Sequence, residues 1–208
     1  MSIPIFIVDA FADSSFKGNP AAVCLLEGPV EESFMSKVAG EMNLSETAFL
    51  WPEQEGYRLR WFTPAVEVNL CGHATLASAH VLWESGRLGM EEEARFYTRS
   101  GLLTARRSED MISLYFPPYE LVPTSSIPGL AAALGIGEEN IGVNEDPVTG
   151  SAHTALAPYW AGRLNRSRLT AYQASKRGGT LQLEINEGLV TISGPAVTVV
   201  SGQFHPAP

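Results

Sequence analysis

The chain has 208 residues, with 14 Lys and Arg against 23 Asp and Glu, a formal charge of −9. That length admits one large or two small domains with a sizeable core, and an acidic surface of pI about 4.9 excludes bulk electrostatic binding to nucleic acid or anionic membrane. Only Cys24 and Cys71 are present, which excludes a disulfide framework and fits a reducing cytoplasm; no apolar run approaches the ~20 residues of a membrane span, and the first residues lack a signal peptide's basic flank.

Residues 3–11 are rich in Ile, Val and Phe and read as a strand. Lys17-Gly18-Asn19-Pro20 then marks a loop, and 21–26 is an apolar run of strand length. Residues 31–42 carry Phe34, Val38 and Met42 at helical spacing, with glutamates at the start where the macrodipole favours them. Residues 47–51 and 57–62 read as a hairpin whose turn is Glu53-Gln54-Glu55-Gly56.

An internal repeat follows. Cys71-Gly72-His73-Ala74 opens an Ala-rich helical stretch closing at Gly86-Arg87-Leu88, and Thr149-Gly150-Ser151-Ala152 opens another closing at Gly162-Arg163-Leu164. Each is succeeded by an aromatic-containing strand, a glycine turn and a β-like run ending in proline. The units, 71–117 and 149–195, are both 47 residues long. Both helices are apolar nearly all round, the pattern of a helix buried on every side, so two strand-wrapped helices in two lobes are expected, with Trp51, Trp61, Trp83 and Trp160 in the core or between lobes. The first unit is preceded by 70 residues and the second by 31. A shortfall of 39 residues is placed near 137–142.

Several residues are candidates for chemistry. A helix start of glycine and small residues presents free N–H groups suited to a carboxylate or phosphate; the same glycines could serve close packing alone. Glu46, in Asn43-Leu44-Ser45-Glu46-Thr47-Ala48-Phe49, shares a strand face with Ala48. It is either a partly desolvated acid–base with a raised pKa or a solvent-facing glutamate. His73 is either a neutral imidazole facing a ligand or a core histidine. Asp146, before Pro147, is either a turn residue or a carboxylate across the cleft. Cys71 could be a thiolate, because helix N-termini lower thiol pKa values. His80 and His153 lack partners at metal-ligand spacing, so no metal site is expected. Nucleotide-binding and nucleophile-elbow motifs are absent.

Phe11 with Phe16-Lys17-Gly18-Asn19-Pro20-Ala21-Ala22-Val23, Asn43-Leu44-Ser45-Glu46-Thr47-Ala48-Phe49, Leu70-Cys71-Gly72-His73-Ala74-Thr75 and Glu145-Asp146-Pro147-Val148-Thr149-Gly150-Ser151-Ala152-His153 together resemble the phenazine-biosynthesis PhzF-like family. The resemblance implies an α+β fold of the diaminopimelate epimerase type, two pseudo-symmetric lobes each wrapping a central helix, here 1–117 and 118–208. The last strand could return to the first lobe. It implies Glu46 as general acid–base, assisted by His73 and Asp146, with Asn19, Cys71, Gly72, Gly150 and Ser151 binding substrate. It further implies a cofactor-independent isomerase of a small carboxylate, working as a homodimer without metal. A shortened second half leaves open a non-catalytic metabolite-binding or protein-interaction member of the same fold.

Overall fold

The computed structural model describes residues 2–118, 146–186 and 188–206. The step near 137–142, where the unequal halves place a shortfall, lies outside the described residues. Twelve strands form one mixed sheet. From the N-terminus run β1 (Ile3–Ala10), β2 (Asn19–Leu25), α1 (Glu32–Met42), β3 (Glu46–Glu53), β4 (Gly56–Phe62), the two-residue β5 (Glu67–Val68) and α2 (Gly72–Glu84). The first meander is β6 (Ala94–Thr98), β7 (Gly101–Ser108) and β8 (Met111–Phe116). After α3 (His153–Leu164) comes a second meander, β9 (Arg168–Gln173), β10 (Gly179–Asn186) and β11 (Leu189–Gly194), and then β12 (Ala196–Phe204). The strand order is β12-β1-β2-β3-β4-β6-β7-β8-β11-β10-β9, with β5 on β4. Among the described residues, only the β2–β3 and β4–β6 pairs are parallel. The chain is α+β, and its final strand lies antiparallel beside its first.

Strand alternation sorts the N-terminal half into two cores. Val23 and Leu25 of β2 and Ala48 and Leu50 of β3 face α2, whereas Cys24, Phe49 and Trp51 face Met35, Val38 and Ala39 of α1. Helix α2 is buried at eleven of its thirteen residues. Its two buried hydroxyls are satisfied locally: Thr75 and Ser78 donate to the carbonyls of Cys71 and Ala74.

The repeat is present as a pseudo-two-fold. Shifted by 78 residues, β7 falls on β10 and β8 on β11, end for end. The two units join through β8 and β11, where Leu114 pairs with Ile192, its own counterpart under that shift. Beside that pair the Ser113 and Ser193 hydroxyls meet at 2.8 Å.

Two expectations are corrected. Helix α3 starts at His153, three residues later than the repeat places it, because 150–155 first forms i→i+3 bonds such as His153 N–H to Gly150 C=O (3.1 Å). More importantly, α3 is not buried all round: Leu156, Tyr159, Trp160 and Leu164 are 43, 40, 46 and 52 % exposed. Strands β1, β2, β3, β8 and β12 surround α2, whereas α3 packs chiefly on β9, β10 and β11 among the described residues. Among the described residues, the outer face of α3 therefore keeps its apolar side chains without the strand wrap that its counterpart has.

Two substitutions check this asymmetry. Leu114→Ala, at the buried dyad pair, is expected to cost about 3 kcal/mol in urea unfolding. Trp160→Phe should remove the acrylamide-quenchable part of the tryptophan emission, while Trp61→Phe or Trp83→Phe leaves it in place.

Candidate active site at the junction of two helix starts

The site forms where the two units meet. A Cβ added to Gly72 would lie 3.3 Å from Gly150 Cα and 3.4 Å from Ser151 N, and one added to Gly150 would meet the Phe11 ring at 3.3 Å. A side chain at either position would push its neighbour back by a few tenths of an ångström, so glycine suits this close approach and α2 and the turn leading into α3 begin side by side. Neither helix has a side-chain cap. The N–H groups of Gly72, His73, Ser151 and Ala152 have no acceptor among the described residues. Two positive helix ends with free donors thus converge.

Glu46 reaches this point by strand alternation. As the first residue of β3 it shares the face of Ala48 and Leu50, which is the face against α2. Its side chain is 18 % exposed, and Oε2 lies 3.2 Å from His73 Nε2. Neither atom finds a hydrogen-bond partner of good geometry. Burial, then the negative charge of Asp146, pushes the Glu46 carboxyl up to about 7, against a smaller opposing effect of the Cys71 thiol. Burial pulls His73 down to about 4 despite Asp146. At neutral pH the imidazole is therefore uncharged, and Glu46 is poised between acid and base.

Cys71 requires a correction. Its thiol lies 3.5 Å from His73 Nδ1, but full burial and the adjacent Glu46 charge push its pKa well above the ordinary value. Desolvation and a carboxylate outweigh the helix dipole, so the thiolate expectation fails and Cys71 contributes a neutral S–H. The donor atoms of Glu46, Cys71 and His73 lie within 4.8 Å of one another, a trio that could hold a divalent cation. Sequence spacing did not suggest it, since Glu46 arrives from a different element.

Asp146 and Asn19 complete the arrangement. Buried Asn19, first in β2, donates through Nδ2 to the Asp146 carboxylate and, at 3.1 Å, to Val148 C=O. Ser45 Oγ donates to Asn19 Oδ1 at 3.4 Å. In the parallel β2–β3 register Glu46 lies beside Ala21, two residues along from Asn19 on the same face. The loop leading to Asn19 is fixed by a left-handed Gly18 (φ +65°), where any Cβ would strike Ala10 C=O at 2.1 Å. All eight residues singled out in the sequence, Asn19, Glu46, Cys71, Gly72, His73, Asp146, Gly150 and Ser151, thus belong to one neighbourhood.

Residues without any sequence signal hold this neighbourhood together. Arg177 donates to the Asp9 carboxylate (2.7 Å) and to the carbonyls of Gly18 (2.9 Å) and Lys17 (3.0 Å), tying the β9–β10 turn to the loop before Asn19. Gln173 spans Asp146 and Thr149. A cavity of about 200 Å³ lined by Phe11, Lys17, Tyr172 and Arg177 lies on this seam, and Glu46, His73 and Asp146 are not among its walls.

Comparison with known proteins agrees with the motifs. The family model for phenazine biosynthesis-like proteins, PhzC-PhzF, matches residues 8–126 and 139–202. This chain belongs to the PhzC-PhzF family. An uncharacterized isomerase of Halalkalibacterium halodurans is 42 % identical over 262 residues, covering 98 % of this chain and 99 % of that protein. The human phenazine biosynthesis-like domain-containing protein is 36 % identical over 286 residues, covering 97 % and 99 %. Both alignments are longer than the 208 residues here, so these PhzC-PhzF relatives carry positions with no counterpart in this chain. A crystal structure of a PhzF-family protein from Enterococcus faecalis superposes with a TM-score of 0.88 at 38 % identity, covering 99 % of this chain and 100 % of that one. The fold alone extends to a probable proline racemase from Agrobacterium radiobacter (TM-score 0.68, 13 % identity, 99 % and 94 % covered). No helix among the described residues is long and apolar enough to cross a membrane.

The raised Glu46 pKa has a sign that folding can report. Between 4.5 and about 7 the folded carboxyl binds more proton than the unfolded one, so Glu46 lowers stability progressively as pH rises through that window, and by a constant amount above it. His73 acts oppositely between about 4 and 6.5, where the unfolded chain binds more proton. Glu46→Gln is therefore expected to gain stability relative to the parent between pH 4.5 and 8, by up to about 3 kcal/mol. Urea unfolding of both proteins at the two pH values checks this.

Proposed function

We propose that this protein is a cofactor-independent isomerase that moves a proton between carbons of a small carboxylate, with Glu46 as the general acid–base. The observation that carries this reading is the poised, orphaned carboxyl of Glu46, set against two uncapped helix starts. The substrate carboxylate would accept hydrogen bonds from the free N–H groups of Gly72, His73, Ser151 and Ala152, which supports anion binding on a chain of net charge −9. Ionised Glu46 would then take a proton from a carbon next to that carboxylate. The electron pair left behind is delocalised into the carboxylate, where the same N–H donors and the two helix dipoles stabilise the developing charge. In a substrate with a C=C bond next to that carbon the pair extends to the far alkene carbon, where neutral Glu46 returns the proton, so the double bond shifts by one position and no net proton is consumed.

His73 and Asp146 assist. Neutral His73, 3.2 Å from Glu46, can donate or accept without placing a competing cation beside the carboxyl. Asp146, held by Asn19, keeps Glu46 basic enough to work near neutrality. The names of the relatives from Halalkalibacterium halodurans and Pseudomonas aeruginosa, uncharacterized isomerases, support the same reaction class.

Incubating a panel of small carboxylates with the protein in D₂O, read by NMR and mass, tests the reading. Deuterium should enter a carbon of the substrate, and Glu46→Gln should reduce its rate by at least about a hundredfold with the circular dichroism unchanged. Retained exchange in a folded Glu46→Gln would overturn the proposal, and binding without exchange would favour the metabolite-binding reading.

A further inference from the structure

We propose that Gln173 is a positioning residue for this site, its side-chain amide setting the place of Asp146 relative to Glu46. The inference rests on the reading of Glu46 and Asp146 given above. Gln173 is the last residue of β9 and is half-buried. Its Nε2 donates to Asp146 C=O at 2.6 Å, and its Oε1 accepts from Thr149 N–H at 2.8 Å. One planar amide thus closes on both ends of the Asp146-Pro147-Val148-Thr149 segment. The amide orientation is fixed, because only the NH₂ can serve the carbonyl and only the oxygen can serve the N–H.

The other ties on this segment come from different directions. Asn19 holds Val148 C=O and the Asp146 carboxylate from the β2 side. Buried Val148 is seated against Gly179, where a Cβ would meet its Cγ2 at 2.2 Å. Asn19 therefore directs the Asp146 carboxylate, Gly179 provides the seat, and Gln173 fixes the backbone from which Asp146 projects.

The counterpart in the first unit does something else. Gln173 pairs with Gly179 as Thr98 pairs with Gly101, and Gly101 falls on Gly179 under the 78-residue shift. The Thr98 hydroxyl donates to Gly101 C=O at 2.7 Å, within its own hairpin, and makes no such bridge to the start of α2. In the first unit the segment before α2 is held by a single hydrogen bond, from the Ser100 hydroxyl to Asn69 C=O at 2.7 Å, so the two-ended amide bridge is found in the second unit, on the side that carries Asp146.

The test reads the Glu46 carboxyl directly, by ¹³C NMR titration of glutamate-labelled protein, with the resonance assigned from Glu46→Gln. Gln173→Met keeps the side-chain volume and removes both bonds. Loosening the segment lets water reach Glu46 and Asp146 move away, and both changes lower its titration point. A downward shift of about one pH unit is expected, with no shift in Gln182→Ala, a control on the neighbouring strand. Should Gln173→Met fail to fold, Gln173→Asn keeps the amide but cannot reach both partners, and the same shift is expected. An unmoved Glu46 titration in a folded variant, whatever the loss of global stability, would overturn the role and leave Gln173 a purely structural bridge. Because the titration is read without substrate, that failure is separate from retained exchange in Glu46→Gln, which overturns the acid–base reading instead.

Discussion

The candidate site depends on the close approach of two glycines. Gly72 and Gly150 are the same position of a duplicated unit, brought so near where the units meet that a Cβ on either would lie 3.3–3.5 Å from the other's Cα. The contact is possible because the paired strands Met111–Phe116 and Leu189–Gly194 set the units about a local dyad, so the helix starts approach head to head. Like ends of two helix dipoles repel each other, and uncapped N–H groups are left wanting acceptors. Such a junction is held by the surrounding packing, not by its own electrostatics. Phe11, against the Gly150 side, and the Arg177–Asp9 pair supply that external hold.

The same junction explains why Glu46 and His73 can sit at 3.2 Å without forming a conventional ion pair. An exposed carboxylate and imidazolium would attract. Here burial penalises both charged forms, and Asp146 opposes a second negative charge while favouring a positive one. Desolvation is the larger effect on each group, so the carboxyl is raised, the imidazole is lowered and the neutral pair becomes accessible near neutrality. A thiol in the same shell follows the same rule: Cys71 is denied ionisation even at a helix start.

The sequence made the scaffold of this site readable and left its fastenings hidden. Helix period, strand alternation and the 47-residue repeat located the start of α2, came within three residues of that of α3, and placed Glu46 on the face of Ala48. Those features recur locally, so one chain suffices to see them. The exposure of Trp160 was not readable, because an apolar helix looks the same whether or not strands cover it. Nor were Gln173 and Arg177, polar residues near a turn whose partners lie in other elements, in the case of Arg177 with Asp9, 168 positions away. The ionisation of Cys71 was misread because a dipole is visible in sequence and desolvation is not.

The duplication itself bears on which reaction the site suits. Both units contribute N–H donors, so anion binding is two-fold in origin. Glu46, by contrast, belongs to the segment before the first unit, and the counterpart positions at the helix starts are Cys71, held protonated, and Thr149, whose aliphatic hydroxyl is not an acid–base near neutrality. Under the proposed reading there is one proton carrier serving a symmetric anion site. Inversion at a single carbon needs a second group on the opposite face to deliver the proton. A lone carboxyl that removes and returns a proton on the same face is suited instead to shifting it between the two ends of an allylic unit, and this favours isomerisation over racemisation for the present arrangement.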